Sequence, residues 1–150
     1  VSQNLGAKRI KRTYRGIRIC LLLSLMATLI MGIPVYLFAE RLSQIFTPDS
    51  EAIYYSVKMI HIMVPFFYFH AMQEIFSNAV RSFGKSRQVM VLAMLGMIVC
   101  RQVYLAVSLS VNHCVENVAL SFPVGWMTGA LFVIGYYALK IRPVYKEESA

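Results

Sequence analysis

Acidic residues are scarce in this chain. Only 7 of its 150 residues are Asp or Glu, against 15 Lys or Arg, and charged residues of both signs make up 15%. A soluble domain carries about 25%, so an ordinary water-covered surface is excluded. Cysteine is also sparse. Cys20, Cys100 and Cys114 show no CxxC or paired spacing, which excludes a disulfide framework or a cysteine metal site and leaves them as small apolar fillers. No HExxH or related metal-ligand spacing occurs, and there is no strand alternation, repeat or low-complexity tract. The first 18 residues are basic and polar, without the apolar stretch and small-residue cleavage site of a signal peptide. The first residue is Val1, so the sequence is expected to begin inside a larger protein.

What the chain does have is long apolar runs. It is 58% hydrophobic, with a mean hydropathy of +0.59. Residues 19–39 and 118–139 carry no charge at all. A helix rises about 1.5 Å per residue, so roughly 20 residues cross a hydrocarbon layer about 30 Å thick. The runs predict an all-α integral membrane bundle of four transmembrane helices, at about 19–39, 53–79, 89–110 and 118–139. Residues 1–18 are then a basic loop and 140–150 a tail. Between the first two spans, Thr47 or Ser50 is the expected helix cap.

Charge placement predicts the orientation. Twelve of the fifteen basic residues fall in residues 1–18, in the joint holding Arg81, Lys85 and Arg87, or in the tail with Lys140, Arg142 and Lys146. The other two joints hold Glu40, Asp49, Glu51 and Glu116, with Arg41 and, just inside the second span, Lys58. Loop Lys and Arg favour the cytoplasmic side, so both termini are expected there. The net charge of +8 then reflects topology and anionic lipid rather than nucleic-acid binding.

Polar groups at membrane depth are costly and mark interior packing or function. In the second span His70, Gln73, Glu74, Ser77, Asn78 and Arg81 recur at spacings of three and four. That pattern predicts one polar stripe turned toward protein or water, with Tyr68, Met72, Ile75, Phe76 and Ala79 on the lipid side. Measured from Arg81, Glu74 lies about 10 Å deep and His70 about 16 Å, and both can carry a proton. Pro65 above the stripe is expected to kink the helix. Arg101, about 21 Å from Arg87, must face an acid, backbone carbonyls or a cavity, and Tyr104 shares its face. In the last span Pro123 suits a joint, and Gly125 and Gly129 allow close helix approach. Trp126, Tyr136, Tyr137 and Tyr145 are expected as interface anchors.

Three stretches carry a family resemblance. Ser2-Gln3-Asn4-Leu5-Gly6-Ala7 resembles the GQNLGA-type cytoplasmic loop of the multidrug and toxic compound extrusion (MATE) transporters. Residues 78–86, from Asn78 to Ser86, resemble their GALRGxGxS loop, and Pro123-Val124-Gly125-Trp126 resembles their last helix. Family members have twelve helices in two lobes. By that resemblance the chain is a C-terminal fragment holding helices nine to twelve, with the acidic residues 147–150 as the true C-terminus. Ser2, Asn78 and Ser82 stand where glycine is commoner, and His70 where the NorM-like sodium-coupled branch has an aspartate of its cation site. Glu74, one turn on, is more like the DinF-like bacterial branch.

The resemblance implies a cation-coupled antiporter of the plasma membrane, exporting amphipathic drugs or toxic organic compounds by alternating access. Glu74 is then the leading coupling or cavity carboxylate, with His70, Gln73, Asn78, Arg101 and Tyr104 as further candidates. Pro65, Pro123, Gly125 and Gly129 are hinge or packing positions. No metal and no cofactor is expected besides a coupling proton or sodium ion. The expected partners are the remaining helices of the same transporter, an amphipathic small molecule and membrane lipids, with no nucleic acid. Alone, four helices cannot enclose a site between two lobes. Alternatives are a lipid-linked oligosaccharide flippase of the same superfamily or a non-catalytic membrane assembly subunit. An enzyme using His61, His70 or His113 with Glu74 is not expected, because these groups lie at different depths.

Overall fold

The computed structural model describes residues 1–143. Lys146, Tyr145 and the acidic ending at 147–150 therefore lie outside the described residues. Among the described residues every regular element is helical. A short helix α1 (Ser2–Gly6) precedes α2 (Ile10–Leu37) and α3 (Ala39–Phe46). The second span is α4 (Ser50–Met63), a tight 3₁₀ turn at Val64–Phe66, and α5 (Phe67–Ser82). The third is α6 (Ser86–Met94), a wide π turn at Leu95–Cys100, and α7 (Arg101–Val111). The fourth is α8 (Val115–Tyr136), which ends in a second π turn at Tyr137–Ile141. Four spans, Ile10–Leu37, Ser50–Ser82, Ser86–Val111 and Val115–Ile141, are long and apolar enough to cross a membrane.

Local chemistry explains where these elements start and stop. Where a loop is predicted through residue 18, the chain is already helical from Ile10. Ile10, Thr13 and Ile17 form a buried stripe at spacings of three and four, while Lys11, Arg12, Arg15 and Arg18 stay exposed. One-sided burial thus carries the helix through its charges. The cap of α4 also differs from expectation. Asp49, rather than Thr47 or Ser50, occupies the extended cap position and accepts from Glu51 N at 3.0 Å. Ser50 is already the first helical residue, and Thr47 Oγ1 instead accepts from Asp49 N at 3.2 Å. Pro65 cannot donate to the preceding turn, and the helix tightens into the 3₁₀ turn there.

The chain order is not the packing order. α2 packs on α5, α5 on α8, and α8 along α6, the first π turn and α7. The last span therefore lies between the second and the third. The main core gathers at the basic end, where Ile17, Ala79, Val80, Phe83, Val89, Val133, Tyr137 and Ile141 draw all four spans together. Two sequence expectations fail here. Ala79 is buried and Phe76 packs on Tyr137 with ring centroids 5.1 Å apart, because α2 and α8 grip α5 there, while Tyr68 stays exposed as expected. Trp126 and Tyr137 are core residues, each 8% exposed, not interface anchors.

Candidate functional site

The polar residues of α5 are divided between two faces. Gln73 and Ser77 are each 1% exposed, and His70 is half-buried. Glu74, Asn78 and Arg81 are exposed. The single stripe read from the sequence is thus split by the arrival of α8 along one edge of it. The His70 ring lies 5.5 Å from the Trp126 ring, tilted by 33°. On the other face Arg81 Nη1 donates to Asn78 Oδ1 at 3.3 Å.

Gln73 meets α8 at Gly129. A Cβ at 129 would come within 2.8 Å of Gln73 Oε1, and a Cβ at Gly96 within 2.4 Å of the Gly129 backbone. Gly129 is therefore held between the Gln73 amide and the backbone of the π turn. Thr128 ties the same crossing, its Oγ1 lying 2.7 Å from the Val124 carbonyl and 3.2 Å from that of Gly96. At Gly125 a Cβ would meet Met97 and Arg101 at 3.5 Å, ordinary contact. Pro123 is buried within α8, which runs on unbroken through it. Among the described residues, His70 Nδ1, Gln73 Oε1 and Ser77 Oγ are buried without a hydrogen-bond partner. They form a row on α5, about 4.5 and 6 Å apart along the axis. Each such atom costs about 1–3 kcal/mol while unpaired.

Arg101 opens α7 and points at α8. Its Nε donates to Ser121 Oγ at 3.3 Å, and its guanidinium sits 3.8 Å from the Phe122 ring centroid. Ser121 Oγ in turn donates to the Val118 carbonyl at 2.6 Å. An acid, a carbonyl or a cavity is expected from the sequence; a hydroxyl and an aromatic face hold the charge instead. Tyr104, one turn on, is half-buried. Among the described residues the ion pair that forms is Lys58 with Glu116, joining α4 to α8. Arg101 and Glu74 are not brought together. Beside Pro65 an apolar cavity of about 280 Å³ opens between α2 and the 3₁₀ turn, lined by Thr28, Gly32, Tyr36, Val64, Pro65 and Tyr68.

Three contributors were not singled out from the sequence: Gly96, Phe122 and Thr128. Gly96 did leave a signal, as an isolated glycine within an apolar helical run. The others are ordinary residues for a buried helix. Only the placement of α8 against α7 gives them a role.

The match that decides the family is one of sequence: residues 1–107 match the MatE family. The chain belongs to the MatE family. The match covers α1 to most of α7, so it spans the α5 residues and Arg101 and stops short of α8. No curated protein and no solved structure matches the chain. MatE proteins are membrane transporters of the MATE superfamily. With four membrane-capable helices, this MatE chain is a multi-pass membrane protein of that class.

Proposed function

We propose that this MatE chain is part of a cation-coupled antiporter that exports amphipathic organic compounds by alternating access. In this reading it supplies four helices of one lobe, sits in the plasma membrane and keeps both ends in the cytoplasm. Remaining helices of the transporter complete the second lobe. The observation that carries the reading is Glu74. It is exposed on α5, about 10 Å from the Arg81 level, on a face that α2 and α8 leave open. A carboxylate at that depth is costly against acyl chains. Its cover is therefore other protein or a water-filled cavity, and a proton or sodium ion can neutralise it there. Asn78, one turn away, adds a polar group to the same face, and the His70–Gln73–Ser77 row lies behind it. The Glu74 position favours the DinF-like branch. Arg101, the deep cation, is engaged by Ser121 and Phe122, which favours drug export over a flippase whose pyrophosphate ligand needs free cations.

The test uses the full-length transporter in proteoliposomes, with efflux of a fluorescent lipophilic cation driven by an imposed proton or sodium gradient. Wild type is expected to export under one of the two gradients. Glu74→Gln is expected to lose gradient-driven export about tenfold or more while keeping its melting temperature, since the side chain is exposed. Export by Glu74→Gln at the wild-type rate would remove Glu74 from coupling. Absence of any gradient-driven export by wild type would overturn the antiporter reading in favour of an assembly subunit.

A further inference from the structure

The end of the bundle opposite the basic joints holds a second cavity, this one with charged lining residues. Here α3 folds back against α4, and a cavity of about 550 Å³ lies between them. Glu40 and Gln44 line it from α3, and Tyr54, Lys58 and His61 from α4. Lys58 lies 23 residues from Arg81, or roughly 35 Å of helix, about one hydrocarbon thickness. The cavity thus opens at headgroup level.

The helix that forms its wall is two-sided. Ala39 and Ser43 are buried and pin α3 to the bundle. Ile45 and Phe46 project outward, 75% and 88% exposed. A short amphipathic helix with such side chains at headgroup level lays them among the first carbons of the acyl chains. A charged cavity and an apolar ledge are therefore side by side.

The charges select the ligand. Lys58 is paired with Glu116 and its Nζ lies 5.6 Å from the Tyr54 ring centroid. Glu40 is contacted by Gln44 Nε2 at 3.5 Å, a weak hydrogen bond that leaves its carboxylate able to accept more. The cavity and its rim thus offer one cation and two carboxylates. A purely anionic head meets a net negative site, whereas a zwitterion meets both signs. A trimethylated ammonium brings no N–H to the Glu40 carboxylate, and a primary ammonium brings three.

We propose that this cavity binds the head of a phospholipid bearing a primary ammonium, as in phosphatidylethanolamine. The ammonium donates to Glu40, the phosphodiester accepts from Lys58, and the acyl chains run along Ile45 and Phe46. This site stands apart from the export reading and does not depend on it.

Native mass spectrometry of the purified full-length transporter tests it, with phosphatidylethanolamine, phosphatidylcholine and phosphatidylglycerol titrated in turn. Phosphatidylethanolamine is expected to be retained about tenfold over the other two, the weight of one hydrogen bond to a charged group. Glu40→Gln is expected to remove that preference, lowering phosphatidylethanolamine retention and raising that of phosphatidylglycerol, whose phosphate then meets one carboxylate fewer. Phe46→Ser is expected to weaken phosphatidylethanolamine and phosphatidylcholine alike. Water-soluble glycerophosphoethanolamine is expected to bind far more weakly, and equal binding would assign the cavity to a free phosphodiester instead of a lipid. Equal retention of the three lipids, or a preference that survives Glu40→Gln, would overturn the proposal.

Discussion

A single missing Cβ sets how closely the third and fourth spans approach. At Gly96 an added methyl would meet the Gly129 backbone at 2.4 Å. Backbone cannot yield without moving a span. Gly96→Ala is expected to destabilise the bundle by about 3 kcal/mol from overpacking, offset by about 1 kcal/mol of helix propensity. Thermal unfolding of the full-length protein in detergent would show the drop. Gly129→Ala meets the end of the Gln73 side chain, at 2.8 Å, and that amide can swing aside. It should therefore cost less than Gly96→Ala in the same assay. Arg101 offers a second test at this scale. Ser121→Ala should cost about 1 kcal/mol through the lost hydrogen bond. In an Arg101→Met background the same change should cost almost nothing, because the partner is gone. An equal cost in both backgrounds would show that Ser121 matters through the Val118 carbonyl alone.

At the scale of elements, the spans were legible in the sequence and their beginnings were not. Apolar runs mark where lipid must be: the predicted spans 53–79, 89–110 and 118–139 lie inside observed helices, and 19–39 overruns the end of α2 at Leu37 by two residues. The early start of α2 rests on Ile10, Thr13 and Ile17 finding cover, which only the tertiary fold provides. The polar stripe of α5 was legible as a stripe by its period. Its division was not, because a period does not say that α8 covers Gln73 and Ser77 while leaving Glu74 open. Trp126 shows the same limit: an amphipathic ring suits an interface, but in α8 it is enclosed by Phe67, His70 and Phe122. The cap of α4 gives an element-scale prediction. Asp49→Ala is expected to cost about 1 kcal/mol, and Thr47→Ala less, since Thr47 accepts from the cap residue rather than from the helix. Denaturant unfolding followed by circular dichroism would separate the two.

For the molecule as a whole, the proposed orientation puts the basic joint at Lys85 on the cytoplasmic side and the joint at His113 on the other. In a background with Cys20, Cys100 and Cys114 replaced, a cysteine at Lys85 should react with an impermeant maleimide only after the cells are opened. A cysteine at His113 should react from outside. The reverse pattern would invert the orientation and move the α3–α4 cavity to the cytoplasmic face.

The clustering of the main core at the basic end has a mechanical consequence. Residues from all four spans interlock there, around Val80, Val89 and Val133, whereas α2 beyond Ile17 buries no residue fully along the rest of its length. α2 is clasped at its foot and loosely held above it, whereas α8 stays buried toward the crown at Ala119, Ser121 and Trp126. Amide deuteration should therefore advance along α2 from crown to foot, with the amides near Ile17 exchanging last. Separating the crown of α2 from the other spans demands little rupture of packed side chains, so this helix can splay at one end while the other keeps its grip.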